Sequence, residues 1–324
     1  MPDLNYYGAL AEKALSEVPL SGFPDELYEP ARYIMNLGGK RLRPAMVLAA
    51  CELCGGNPED AFGPAAGLEL FHNFTLLHDD IMDAAPIRRG KPTVHTLWDA
   101  NRAILSGDTM FALAGRCLLN TRPEAITPIL HLFFDTAVEV CEGQQMDMNF
   151  EKRDDVTPDE YLNMIRLKTA VLIAASLRTG SIVAGADRVM TLELYDFGIA
   201  TGMAFQLQDD LLDTFGDEQT FGKQSGGDIL ANKKTYLYLK ALELATEGRR
   251  NRLLQLYSGP SSDPAAKVRE VTGLFRELDI PAVVRSKMAE YHQRALTHLT
   301  EITEVYGHSP VLEEFARKVM TRES

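Results

Sequence analysis

Residues 68–90 read LELFHNFTLLHDDIMDAAPIRRG, an apolar helical run that ends in three aspartates and passes into an arginine pair. Asp79 and Asp83 stand four apart, so on a helix they lie one above the other with Asp80 beside them, and three like charges converge on one spot. The residues before them are apolar on nearly every side (Leu68, Leu70, Phe71, Phe74, Leu76, Leu77), the pattern of a helix buried in a protein interior. The cluster also falls at the negative end of the helix dipole, where only nearby cations make it favourable. A hard divalent metal is the simplest such cation.

The second half of the chain repeats the device. Residues 192–217, LELYDFGIATGMAFQLQDDLLDTFGD, are again a mostly apolar helical run ending in aspartates at the same spacing, Asp209, Asp210 and Asp213. One D-D-x-x-D alone reads as a solvated helix end. Two of them, each following a run too apolar for a surface, predict one cavity with acidic walls. Mg²⁺ takes few protein carboxylates, keeps water and draws its remaining ligands from substrate phosphates, so the pair suits a diphosphate clamped between metals.

The formal net charge of -13 excludes a nucleic-acid binder, which needs a basic footprint. Basic residues gather instead at GGKRLRP, IRRGK and NKKT, as in anion pockets within an acidic protein. No run of eighteen apolar residues occurs, and MPDLNYYGALAEK lacks the basic start and apolar core of a signal peptide, so no transmembrane segment and a cytoplasmic location are expected. Four cysteines in a chain of 324 residues form no disulfide framework. Cys51 and Cys54 make a C-x-x-C, read as packed helix cysteines before Gly55-Gly56, with a redox role as the alternative.

In chain order, the pattern predicts helices over Leu4 to Val18 and Pro24 to Leu37, a break at Gly38-Gly39, and a new helix near Pro44. Between break and helix stand Lys40, Arg41 and Arg43. Backbone N–H groups at a helix start, glycine and cations together make an anion site; a solvated helix start is the other reading. The aspartate helix is expected to begin near Pro58, which puts His72 two turns before Asp79 on roughly the same face. Arg88 and Arg89 follow in a loop and suit phosphate oxygens.

Helical patterns then run from Val94 to Cys117 and from Ala125 to Phe150. The second contains Gly143, Gln144, Gln145 and Asp147, which either pair internally or face a polar cavity. Thr157 with Glu160 predicts a capping box. Lys168 and Thr169 lie in the apolar RLKTAVLIAASL, where the lysine either snorkels to the surface or, with Gln206, lines the cavity. The loop FGKQSGGDILANKKT, with Lys223, Lys233, Lys234 and Asp228, reads as a lid. From Tyr236 onward the chain is amphipathic helix with no legible constellation. About a dozen helices and no convincing strand give an all-α fold.

GGKRLRP, HDDIMD, RRGKPT, FQLQDDLLD and NKKT, in that order, make the chain resemble the trans-polyprenyl diphosphate synthases of the farnesyl and geranylgeranyl group. The resemblance implies the isoprenoid synthase fold as a single domain over 1–324, a bundle of helices around a central cavity. It also implies a homodimer and three Mg²⁺ between the aspartate motifs. Asp79, Asp83 and Asp209 are then the principal metal ligands, supported by Asp80, Asp210 and Asp213. Lys40, Arg43, His72 and Arg89 hold isopentenyl diphosphate, with Arg41 counted among the same cations. Arg88, Lys168, Lys223 and Lys233 hold the allylic diphosphate (dimethylallyl, geranyl or farnesyl), and Thr169 and Gln206 lie near the developing cation.

The chain departs from the family pattern with Asn232 where a glycine is frequent, with Gln224 where proline is frequent, and without a two-residue insertion in the first motif. The product grows down the helix from Asp79, and Phe74, Phe71 and the small Thr75 shape its floor. An aromatic at the position of Phe74 implies a C15 to C20 product, geranylgeranyl diphosphate favoured. The competing readings are a class I terpene cyclase, which needs no second diphosphate pocket, and a non-catalytic subunit of a heteromeric synthase.

Overall fold

The structure, a computed structural model, describes residues 2–216, 226–259 and 262–321; Lys223 and Gln224 lie outside them. The described residues form helices joined by turns and loops, with one two-residue ladder among them. In order the helices are α1 (Leu4–Ser16), α2 (Glu29–Asn36), α3 (Leu42–Leu53), α4 (Phe62–Met82), α5 (Val94–Leu97), α6 (Ala100–Leu118), α7 (Pro123–Glu151), α8 (Pro158–Ile165) and α9 (Val171–Ala184). There follow α10 (Arg188–Phe215), α11 (Gly227–Leu230), α12 (Tyr236–Leu244), α13 (Glu247–Leu256), α14 (Pro264–Glu277), α15 (Ile280–Tyr306) and α16 (Pro310–Thr321).

Several boundaries move from their predicted places for local chemical reasons. The second predicted helix divides into a 3₁₀ turn, Asp25–Leu27, and α2, because Pro30 has no N–H to continue the first and suits the first turn of the next. The 94–117 pattern divides where the Asp99 carboxylate accepts the N–H of Arg102 at 2.9 Å and starts α6. The capping box is present: Thr157 Oγ1 accepts from the Glu160 N–H at 3.2 Å, and Glu160 accepts from the Thr157 N–H at 2.9 Å.

The ladder pairs Ile87–Arg88 with Lys91–Pro92 around Arg89 (φ 52°) and Gly90 (φ 73°). Two successive positive φ angles are the mark of a tight type I′ hairpin. The arginine pair therefore sits on a stiff turn rather than in an open loop.

By contacts the chain divides into two units. One comprises Met1–Phe134, Ala175–Leu194 and Tyr306–Val311; the other comprises Asp135–Ala174, Tyr195–Val305 and Leu312–Ser324. In the first, α4 packs on α1, α3 and α6, and every residue from Phe62 to Phe71 is buried. A Cβ at Gly67 of α4 would lie 2.8 Å from the Ala114 carbonyl oxygen, so only glycine lets α6 approach so closely. The same seam carries His78 against Gly107, and the His78 ring lies 3.2 Å from the Ile104 carbonyl oxygen. The aspartate-bearing end of α4 is thus fixed in register against α6.

In the second unit Tyr161, Ile165, Leu207, Leu211, Ile229, Leu237, Val271, Phe275 and Val284 form one core cluster. Residues 158–184 are long and apolar enough to cross a bilayer, but 72% of the most apolar window is buried inside the protein, as befits a core helix. Cys51 and Cys54 are free; burial pushes their thiols up to about 12 and about 11, the packed rather than the redox environment.

Candidate active site

At the end of α4, Asp79 and Asp83 stand one turn apart, joined by the Asp83 N–H donating to the Asp79 carbonyl at 2.9 Å. Asp80 turns inward, 3% exposed, and Arg88 from the hairpin forks onto it: Nε lies 2.8 and 2.9 Å from its two oxygens and Nη2 2.7 Å from Oδ1. The same guanidinium reaches Asp79 at 3.7 Å. Burial raises the Asp80 carboxyl above its ordinary value, and Arg88 opposes that shift. Arg88, expected on the allylic diphosphate, here neutralises the aspartates and fixes the hairpin to α4.

One turn to two turns earlier lies an anion pocket. Arg43 Nη1 stands 3.1 Å from His72 Nε2; arginine can only donate, so the imidazole accepts there and carries its proton on Nδ1. Burial first, then Arg43, Arg89 and Arg88, hold the His72 pKa well below the usual histidine range, so the ring is neutral. Arg89 Nη1 donates to the Gly38 carbonyl and its guanidinium packs on Gly39, where a Cβ would lie 3.0 Å from Nη2. Desolvation lowers the Arg89 pKa, and Arg41 and Arg88 press the same way. Arg43 and Arg89, gathered around a neutral His72, make a locally positive place that favours an anion.

Arg41 has a different task from its neighbours. It is 7% exposed, in left-handed backbone (φ 45°), and its Nε, Nη1 and Nη2 donate to Glu12 (2.7 Å), buried Glu69 (2.9 Å) and the Met35 carbonyl (2.7 Å). Asn73 also donates to Glu69, at 3.2 Å. The guanidinium points into the fold, so the sequence-based grouping of Arg41 with the phosphate ligands is corrected: it anchors the Gly-Gly-Lys turn to α4. Glu69 and Asn73 carried no legible signal beyond being polar in an apolar run.

The second acidic cluster lies in the other unit, around a cavity lined by Asp147, Lys168, Thr169, Gln206, Asp210 and Lys233, among others. Asp210 is 4% exposed; the Tyr161 hydroxyl donates to Oδ2 at 2.5 Å and the Gln206 amide to Oδ1 at 2.9 Å. Burial, then the charge of Asp228, raises its carboxyl to about 8 against those two hydrogen bonds. Thr169 donates to Gln206 Oε1 at 3.1 Å, so the amide is held at both ends. Asp213 accepts from the Asp228 N–H at 2.9 Å, and its carbonyl accepts from Gly226 N–H at 2.6 Å. Asp209 is half-buried beside them.

Lys168 sits on a π-helical turn, Arg166–Ala170, between α8 and α9, and pairs with Asp147 at 2.6 Å. Gly143 makes room for that wide turn: a Cβ there would lie 2.8 Å from the Lys168 Cα. Of the polar group on α7, Asp147 therefore faces the cavity, whereas Gln145 is exposed and bonds Asn149. Lys233 lies in the cavity wall, 3.9 Å from Asp228. Lys234 also borders the cavity, but its ammonium caps the end of α7, donating to the carbonyls of Phe150 (2.9 Å) and Arg153. Tyr161, seven before Lys168, has no local signal in the sequence, because the π-helical turn between them shifts the helical phase.

Below Asp79 lies an aromatic cluster within the first unit. Phe74 stands 5.7 Å from Phe71, 5.3 Å from Phe111 and 4.7 Å from the His78 ring; Phe71 stands 5.2 Å from Phe133. Phe111 of α6 and Phe133 of α7 complete a wall that sequence reading found only on α4. Thr75 donates to the His72 carbonyl at 2.8 Å, turning its hydroxyl back onto the helix.

The donors at both acidic clusters are carboxylate oxygens only, the set for a hard cation, with Asp79, Asp83 and Asp209 less enclosed than Asp80 and Asp210. Among the described residues no three His, Cys, Asp or Glu converge into a closed cage. The residues fit a metal that completes its shell with water and phosphate.

Residues 24–274 match the polyprenyl synthetase family, and the chain belongs to it. It is 38% identical over 324 residues to the short chain isoprenyl diphosphate synthase of Methanothermobacter thermautotrophicus, covering 100% of this chain and 98% of that one. It is 39% identical over 250 residues to the geranylfarnesyl diphosphate synthase of Natronomonas pharaonis, covering 72% and 73% of the two chains. A crystal structure of a geranylgeranyl pyrophosphate synthase superposes with a TM-score of 0.91 at 41% identity, over 100% of both chains. The all-α fold is thus that of the polyprenyl synthases.

Proposed function

We propose that this protein joins isopentenyl diphosphate head to tail (1′–4) to an allylic diphosphate and releases a trans-prenyl diphosphate of C15 to C20, geranylgeranyl diphosphate favoured. The observation that carries the reading is the end of α4, where an acidic face (Asp79, Asp83) and a separate anion pocket (Arg43, Arg89 and neutral His72) are built within one unit. A cyclase that ionises a single prenyl diphosphate has no use for that pocket. Similarity to synthases named for short-chain and geranylgeranyl products supports the C15 to C20 length, and the geranylfarnesyl relative is named for a product one isoprene unit longer.

Mg²⁺, three ions by family resemblance, would be held by Asp79, Asp83 and Asp209, and supplies charge neutralisation for the departing diphosphate. Lys168 and Lys233 add positive charge where negative charge grows on the leaving group as the allylic C1–O bond breaks and takes its electron pair with it. Gln206, held by Thr169 and Asp210, presents a fixed amide dipole to the allylic cation. Lys40, Arg43 and Arg89 orient isopentenyl diphosphate so that its double bond attacks that cation; the C1–C4 bond forms, and a proton leaves C2 to the departing diphosphate. Apolar walls exclude water, which would otherwise trap the cation as an alcohol. His72, neutral, serves as an acceptor that orients Arg43 and is no base.

A homodimer in the cytoplasm accompanies this reading. In support of the dimer, Ile104 and Leu105 of α6 and Phe134 of α7 are 42%, 58% and 49% exposed, apolar side chains that a second copy would cover. The deciding experiment is product analysis: purified protein, Mg²⁺ and labelled isopentenyl diphosphate with dimethylallyl, geranyl or farnesyl diphosphate supplied separately, and the dephosphorylated products sized by chromatography. Discrete C15 or C20 alcohols are expected. Hydrocarbon formed without isopentenyl diphosphate, or no incorporation with any primer, overturns the reading.

A further inference from the structure

The helices after Tyr236 carry no sequence motif, yet α14 places one buried cation against the site. Lys267 is 3% exposed; its Nζ donates to the Asn232 side-chain oxygen and stands 5.3 Å over the Tyr257 ring. Desolvation lowers its pKa, and an apolar residue of the same length would fill the space without that cost. Its polar partner explains its presence.

Asn232 is left-handed (φ 56°) and closes the short helix α11. The N–H of Lys233 donates to the Asp228 carbonyl at 2.9 Å and that of Asn232 to the Ile229 carbonyl at 3.2 Å, the paired bonds of a Schellman turn. Glycine holds that conformation with no Cβ to strain it; asparagine tolerates it less well, and here its amide is tied at both ends, Oδ1 by Lys267 and Nδ2 donating to the Gly259 carbonyl at 3.4 Å. At the other end of α11, Val268 packs on left-handed Gly226, where a Cβ would lie 2.7 Å from Cγ1. Consecutive residues of α14 thus brace both ends of the segment that carries Asp228 and leads into Lys233.

We propose that Lys267 is a positioning residue: by holding Asn232 in its left-handed turn it fixes where Lys233 stands in the cavity, doing with a hydrogen bond what glycine would do by conformation alone. The inference rests on the reading of Lys233 as a ligand of the allylic diphosphate.

Four proteins test it: wild type, Lys267→Met, Asn232→Gly and the double variant. Each is measured for KM of dimethylallyl and isopentenyl diphosphate, and by calorimetry for binding of inorganic diphosphate with Mg²⁺. Loss of one hydrogen bond from a charged donor corresponds to roughly a tenfold change. Lys267→Met is therefore expected to raise the allylic KM and the diphosphate Kd by about that factor, with the isopentenyl KM within about twofold. The double variant is expected to return to the values of Asn232→Gly alone, because glycine makes the lysine dispensable. An unchanged allylic KM and diphosphate Kd in Lys267→Met, or a double variant as impaired as Lys267→Met, overturns the proposal. Should Lys267→Met alone fail to fold, the double variant decides: values matching Asn232→Gly support the proposal, and raised values or failure to fold overturn it. Wild-type protein that makes no prenyl product overturns the function, and diphosphate binding across the four proteins still judges the turn.

Discussion

Removing the Phe74 ring should lengthen the product by one isoprene unit. The ring is half-buried, packed between Phe71, Phe111 and His78 on the side of α4 that leads away from Asp79. Phe71 lies three residues earlier, about 4.5 Å along the helix axis. An extended isoprene unit spans about 5 Å from ordinary carbon–carbon bond lengths. Phe74→Ala therefore moves the floor by close to one unit, and a wild-type C20 product should become mainly C25. A fully buried Phe→Ala change costs about 3–5 kcal/mol; half-buried Phe74 should fall below that range. Phe71→Ala should show the opposite balance: its ring is 0% exposed behind Phe74, so stability falls by the full amount while product length stays put. The double variant should lengthen the product beyond Phe74→Ala. The assay is reversed-phase sizing of dephosphorylated products, with a melting curve for each variant. A folded Phe74→Ala protein with the wild-type product distribution refutes the floor.

Asp79→Ala and Asp209→Ala should each slow turnover by at least about 100-fold with a wild-type melting curve, the loss expected when a metal-held charge clamp is removed; near-normal rates with Mg²⁺ would exclude both as principal ligands. Arg41→Ala and Arg43→Ala should differ in kind. The first strands buried Glu69 and costs about 3–5 kcal/mol of stability; the second should raise the KM for isopentenyl diphosphate and leave the melting temperature near wild type. Because the His72 pKa is depressed in the folded chain, the unfolded chain takes up a proton first as the medium is acidified. His72 thus subtracts nothing at pH 8 and subtracts up to about 1.4 kcal/mol for each pH unit below its unfolded pKa of about 6.5. The stability of His72→Gln relative to wild type should rise as pH falls from about 7 towards 5, and a pH-independent difference in chemical denaturation contradicts the neutral imidazole. Cys51 and Cys54 should resist alkylation at pH 7.5 until denaturant is added, as mass spectrometry of labelled peptides would show.

What could be read from the sequence is what local chemistry dictates. The apolar girth of α4, the stacked aspartates at its end and the Thr157–Glu160 cap follow from side-chain period and hydrogen-bonding capacity, and each stands where the pattern puts it. Pro30 and Asp99 carry their own stop and start signals, which a long helical periodicity masks. The hairpin at Arg89–Gly90 lacks the asparagine or aspartate that usually announces a type I′ turn. Arg41 and Arg43 are indistinguishable on paper; only the distant Glu12 and Glu69 send one inward. Phe111, Phe133, Tyr161 and Lys267 owe their roles to neighbours remote in the chain, which no local pattern encodes.

The wide turn at Arg166–Ala170 has a consequence for how this protein can change. A π-helical turn holds an additional residue, so it slips the phase of the helix and sets the face of α9 independently of that of α8. Deleting one residue there would restore regular hydrogen bonding and carry Lys168 round by up to about 100°, away from Asp147. Such a deletion is the uncommon lesion that leaves a helix better formed and a site disabled. Selection for thermal stability alone would tend to erase this turn, and only selection for turnover would keep it.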